Sequence, residues 1–441
     1  MGRGRRMARF KYTGVTALAV AGVVVGAAMV GGGSGNGAPA AAVAGRATGA
    51  ASAAHPGTHE RWTQRVDGST ALAGAKLAGD GARFDPIRRR LLRDGGGHSP
   101  GAAGEGSAEF PVHRLAHPAG KVTVTLDSKL PPGSDATAEV RGRAGDGFWT
   151  EWTPVSPGGT VKLPRPADTV QVRAVMTPGV RGARPSVRAV SVTTTAARKP
   201  LRKPKNHAAY SARIFATREG LVGRTTANGY TIRAKDHFVA LPSRRALSSK
   251  GGGGYTVRVC AHKRCDYAPV WDVGPWNIRD NHWHKPRDQW KKLKLGLPQA
   301  QAAYQKGFNH GRDGLGRRVL NPAGIDLADG TARESLRVND GGWVRVTYVW
   351  TGVYSRTATI HARKKWRKAS LYRGPSRKSA FVGYAVDGVR VGVNCQAKGP
   401  AAIGRYGVSH LWDRIGPHTY IPHAYIGRDD KRTLRACRPG E

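Results

Sequence analysis

Two aspartates sit among apolar neighbours in settings that suit proton transfer. Asp272 lies in W-D-V-G-P-W, Trp271 to Trp276, and Asp326 lies in G-I-D-L-A-D, Gly324 to Asp329. Burial penalises the charged form of a carboxyl, so one of the pair could stay protonated and donate while the other accepts. Gly274-Pro275 turns the backbone just after Asp272 and would project that strand end. His237, in D-H-F-V-A-L-P from Asp236 to Pro242, adds a third titratable group. Thr226 and Asn228, in T-A-N-G from Thr226 to Gly229, add hydrogen-bonding side chains, and Trp271, Trp276 and Trp283 add flat faces for stacking.

The order of these four motifs resembles the double-psi β-barrel of rare-lipoprotein-A-like proteins, a fold shared by some lytic transglycosylases, expansins and barwin-like proteins. The resemblance implies that Asp272 is the catalytic or key polar aspartate and Asp326 the second aspartate of one sugar-binding groove. His237 matches a histidine found before L-P, and Thr226 and Asn228 fall in the first groove strand. Peptidoglycan is the implied substrate, either cleaved in the manner of a lytic transglycosylase or glycoside hydrolase, or held without cleavage as by an expansin; an extracellular protein-interaction module is the further alternative. The aspartates could instead accept backbone hydrogen bonds and lock the crossed loops. Trp271, Trp276 and Trp283 could form a glycan platform, or the tryptophans of the insertion could cover its own small core. The sequence departs from the family pattern in three places. His237 lies one residue further from its L-P, Tyr230 replaces a polar residue, and positions 272 and 326 lie 54 apart, leaving room for a large insertion.

Those motifs occupy the middle of a chain of 441 residues, long enough for several cores. The net charge of +43 is spread along the whole length and implies attraction to polyanions. Nucleic acid is not the expected partner, since no helix-turn-helix, zinc-finger or RNP pattern accompanies the charge. Anionic cell-wall polymers are, because Arg3, Arg5, Arg6, Arg9 and Lys11 precede an apolar run from Val15 to Val30 and a small-residue stretch at Ala38-Pro39-Ala40, the pattern of an export signal. Gly22 and Gly26 interrupt that run, so no membrane span is expected after processing. The expected location is therefore secreted, extracellular or wall-associated.

Export favours disulfides, and the four cysteines, Cys260, Cys265, Cys395 and Cys437, allow three pairings. Cys260 with Cys265 would close a hairpin, and Cys395 with Cys437 would tie down the end of the chain. No cofactor or metal is expected: C-x4-C is not a zinc spacing, and Asp280, His282 and His284 lack a further ligand cluster.

The expected architecture is all-β and multidomain. Positions 1–40 read as signal peptide and 41–57 as a flexible linker. Positions 58–196 read as a jelly-roll-like β-sandwich, from the alternation in Val122 to Leu126, Ala138 to Arg143, Val170 to Val175 and Val187 to Val192. Within it, F-W-T-E-W, Phe148 to Trp152, resembles a W-x-E-W signature of accessory domains on secreted hydrolases; its rings could stack on sugars or pack a core. Gly97 to Gly101 fits G-x-S-x-G but lacks the strand and helix that a nucleophile elbow needs. A basic linker follows at 197–206, then the barrel at 207–352, carrying a partly helical insertion with a helix over Pro298 to Phe308. The remainder, 353–441, resembles a bacterial SH3-like domain in its Y-R-G-P-S, V-G-Y-A-V-D-G-V-R-V-G-V-N-C and L-W-D-R-I segments, which implies a wall-tethering small barrel.

Overall fold

The computed structural model describes residues 59–85, 104–145, 147–197, 206–363, 367–426 and 434–441. The export-like segment, the 41–57 linker, Gly97 to Gly101 and linker positions 198–205 lie outside the described residues.

The chain is all-β with several barrel-shaped sheets. Ten strands between His59 and Ala196 hydrogen-bond antiparallel into one sheet. Its alternating segments fall within the strands His113–Lys129, Asp135–Arg143, Thr160–Thr177 and Ser186–Ala196. Val122, Val124, Val140, Val170, Val172, Val190 and Val192 point into a shared core, while the residues between them are more exposed or line other contacts. Period-two patterning folds this way because alternate side chains leave opposite faces of a strand.

The next six strands close on themselves. Val239–Leu241 pairs antiparallel with Ala323–Leu327, which pairs parallel with Ser211–Arg218. Ser211–Arg218 then pairs antiparallel with Gly341–Tyr348, which continues through Thr256–Ala261 to Arg264–Val273. Arg264–Val273 returns parallel to Val239–Leu241 and completes the circuit. Two bulges bend it: Trp271 is the extra residue between Val270 and Asp272, and Gly324 the extra residue between Ala323 and Ile325. Ile214, Ala216, Val239, Leu241, Val270, Ile325 and Leu327 fill the interior.

The insertion carries the helix Gln299–Lys306. It ends where Gly307 takes a left-handed conformation (φ 65°) and returns its N–H to the carbonyls of Ala302 and Ala303, which glycine does without a Cβ clash. Asp280 receives the Gln299 amide at 2.7 Å and the Arg287 guanidinium. Burial raises the Asp280 carboxyl above its usual range, against the pull of Arg287. His282 is buried and meets the Tyr348 hydroxyl at 2.8 Å, and burial drives its pKa down to about 3. These side chains hold the insertion on the barrel.

Phe381–Val386 extends the barrel sheet by pairing parallel with Arg264–Val273, and Lys368–Tyr372, Thr419–Pro422, Gly407–Gly416 and Cys395–Gly404 follow in turn. Gly383, at φ 134°, lies so close to Cys265 that a Cβ would stand 1.7 Å from its carbonyl oxygen. Only glycine admits that approach. Both disulfides are formed: Cys260–Cys265 joins the neighbouring strands of one hairpin and Cys395–Cys437 holds the C-terminus. Among the described residues no helix is long and apolar enough to cross a membrane.

F-W-T-E-W is an internal joint. Phe148, Trp149 and Trp152 are buried in the same apolar cluster as the barrel interior. The Trp152 indole donates to the Leu247 carbonyl at 3.0 Å, and Arg141 and Arg173 lie over its ring at 4.2 and 4.3 Å. Buried Glu151 accepts from the Trp283 and Trp350 indoles at 2.8 and 3.0 Å, and its other oxygen meets His284 at 3.2 Å. Burial works against the Glu151 charge, but these hydrogen bonds lower its pKa overall.

Candidate functional site

Asp272 and Asp326 flank one residue. Ala240 pairs with Asp272 on one side and Asp326 on the other, so the two lie two strand spacings apart, roughly 10 Å between backbones. Paired residues share a face, and Val239, Leu241, Ile325 and Leu327 already occupy the interior, so both aspartates sit on the outer face of the barrel. Neither is open there. Asp272 is 0% exposed, and its Oδ1 accepts the amides of Ala227 at 2.7 Å and Val273 at 2.8 Å. Asp326 is 2% exposed and accepts the Thr217 hydroxyl.

The loop that covers Asp272 is T-A-N-G itself. Thr226 donates to Asn228 Oδ1 at 2.7 Å and accepts the Tyr230 amide at 3.1 Å. Asn228 donates to the carbonyls of Ser248 and Ser249 at 3.1 and 3.3 Å. Both side chains are buried and engaged in folding the loop onto the barrel. Trp276 and Trp283 are each 3% exposed: Trp276 packs on Ala300, Ala303 and Val319 of the insertion, and Trp283 binds Glu151. Their faces are covered by protein.

Trp271 and His237 line something else. A cleft of about 740 Å³ runs between the loop Tyr230 to His237, the turn at Glu334 and the strands of the C-terminal part. Trp271, bulged outward, supplies an edge of its floor, with its indole donating to the Gly252 carbonyl at 2.7 Å and Tyr230 against its ring at 4.4 Å. Tyr372, Tyr384 and Tyr425 supply further aromatic surface, and Arg233, Lys235, Arg363, Arg367, Lys368 and Arg377 supply cationic groups.

His237 anchors the wall. Its Nδ1 meets buried Asp266 at 2.8 Å, and its Nε2 faces Glu334 at 3.3 Å and the Lys368 ammonium at 3.0 Å. Lys368 and Glu334 are 2.5 Å apart. The contact depends on Gly330, where a Cβ would come within 2.4 Å of the Lys235 carbonyl; its absence lets the π-helical turn Gly330–Leu336 lie against residues 235–237. Burial works against the His237 cation, but the charge of Asp266 and the hydrogen bonds to Asp266 and Glu334 outweigh it, raising the pKa to about 9. The hydrogen bond from His237 and the nearby Lys368 hold Glu334 down at about 2, against partial burial. Glu334 is thus an ionised carboxylate, suited to binding a donor or balancing charge and unsuited to giving a proton.

The sequence motifs therefore divide. His237 and Trp271 reach the cleft; Asp272, Asp326, Thr226, Asn228, Trp276 and Trp283 do not line it. Asp266, Glu334, Lys368 and Arg367 carry no local motif, and Tyr384 falls in the V-G-Y-A-V segment read as part of an SH3-like tether. Among the first four, the available signal was Asp266, an acid beside the apolar run Tyr267 to Trp271, which marks a buried partner to be found elsewhere.

A family model described as a domain of unknown function (DUF8814) matches residues 210–347, the span of the six-stranded barrel. No curated protein matches the chain. Among solved structures, the chain is similar to a mutant Clavibacter michiganensis expansin crystallised in complex with cellohexaose. The match has 14% identity and a TM-score of 0.17 and covers 48% of this chain and 96% of that one. A likeness of that size carries no argument about this chain.

Proposed function

We propose that this protein is exported and binds cell-wall polysaccharide, peptidoglycan glycan strands first, in the cleft beside the barrel, and that it holds the chain without cleaving it. The observation that carries the reading is the cleft's composition. Tyr230, Tyr372, Tyr384 and Tyr425 offer flat apolar faces of the kind that cover the C–H face of a pyranose, and polar side chains surround them. Export is supported by the two disulfides, which persist in oxidising compartments.

Binding is favoured over cleavage by the state of the carboxylates. Glu334 is held ionised, and Asp272 is enclosed with two backbone amides on one oxygen. The C-terminal strands, read as an SH3-like tether, furnish one wall of the cleft, so tethering and groove binding are proposed as one activity.

The test is calorimetric titration with purified, peptide-free glycan strands. Tyr230→Leu with Tyr384→Leu keeps apolar volume but removes two flat faces, and should weaken binding roughly tenfold or more. Unchanged affinity would remove the cleft from the reading. Incubation with whole peptidoglycan should release neither anhydro-muropeptides nor new reducing ends. Release that disappears in Asp272→Asn would replace the binder with an enzyme.

A further inference from the structure

Resting on that reading, we infer that the polymer the cleft takes is anionic, with phosphodiester or carboxylate groups spaced along its repeat. The charge balance of the lining is the reason. Six arginine and lysine side chains line it against three acids, Asp236, Asp387 and Glu334, and Glu334 is already paired with Lys368 and His237.

Among the described residues Arg233, Lys235, Arg363 and Arg367 make no ion pair, and all four are exposed on the cleft. Four unpaired cations around one concavity raise its potential. Low-dielectric walls focus that field, so an anion gains more there than on open surface. A neutral glycan would use the aromatic faces and leave the four charges unanswered, whereas a glycan or polyol chain with one anion per repeat engages both. Guanidinium forks suit either phosphate or carboxylate, so the shared chemistry is a regularly spaced oxyanion.

Three oligomers of similar length separate the cases in about 0.15 M salt: a neutral N-acetylglucosamine oligomer, a glycerol phosphate oligomer and a glucuronate oligomer. The full mature chain should bind at least one anionic oligomer roughly tenfold or more tightly than the neutral one. Arg233→Gln with Arg367→Gln should erase most of that preference, read as the ratio of anionic to neutral affinity. Preference for glycerol phosphate would identify phosphodiester as the charge that is read, and preference for glucuronate would identify carboxylate.

Lys121→Gln with Lys162→Gln, an exposed cross-strand pair on the N-terminal sheet, removes the same charge elsewhere. An equal loss in this control would overturn the inference by tracing binding to net charge. Equal binding of all three oligomers would overturn the inference and leave the polysaccharide reading standing. Binding of none would overturn both.

Discussion

Asp266→Asn should lower the pH at which His237 titrates, in a way that can be measured directly. The imidazole is buried, and its pKa near 9 rests on the Asp266 carboxylate 2.8 Å away together with Glu334. A group whose folded pKa is raised contributes stability that is complete below its unfolded pKa, about 6.5 for histidine, and is lost as pH rises through the folded value. The window therefore lies between about pH 6.5 and pH 9. At about 1.4 kcal/mol per pH unit, the full effect is on the order of 3 kcal/mol. Urea unfolding at about pH 6 and about pH 9.5 reads it by comparing wild type with His237→Gln, so that other titrating groups cancel. The wild-type advantage should shrink by most of those 3 kcal/mol across the window. In Asp266→Asn the imidazole, followed by NMR and assigned by its absence in His237→Gln, should titrate well below the wild-type value. An imidazole that titrates near 6.5 in the wild type, or an advantage equal at both pH values, would refute the argument that Asp266 and Glu334 outweigh burial.

Three further outcomes follow from the contacts. Asp272→Ala leaves the amides of Ala227 and Val273 without their acceptor and should destabilise by about 2–5 kcal/mol in chemical denaturation, with glycan affinity retained by the folded protein. Wild-type stability with lost binding would move the site to the outer face of the barrel. Glu151→Ala strands two buried indole N–H groups and should cost about 2–4 kcal/mol, whereas Glu151→Gln keeps an acceptor oxygen and should cost less; equal Tm values for the two variants would contradict the joint. Denatured, unreduced protein should show no reactive thiol and gain four on reduction, and thiols labelled before reduction would break the pairing of Cys260 with Cys265 and Cys395 with Cys437.

The sequence by itself determined what depends on neighbouring residues. Alternation marked the strands around Val122, Val170 and Val187, because a strand's faces repeat every two residues. The helix expected over Pro298 to Phe308 forms at Gln299–Lys306, just after Pro298 and stopping at Gly307. Cys260 and Cys265 could meet across a hairpin because only a short turn separates them. Tertiary structure decided everything that depends on register and on distant partners. One bulged residue at Trp271 determines that Asp272 lies beside Ala240, outside the barrel and under the T-A-N-G loop, and a shift of one position would reverse the face. Lys368 and Tyr384 reach His237 only because Phe381–Val386 pairs with Arg264–Val273, a contact that no local pattern encodes and that the missing side chain of Gly383 makes sterically possible. The cleft is therefore legible only after folding, since its chemistry comes from segments more than a hundred residues apart whose meeting is set by packing.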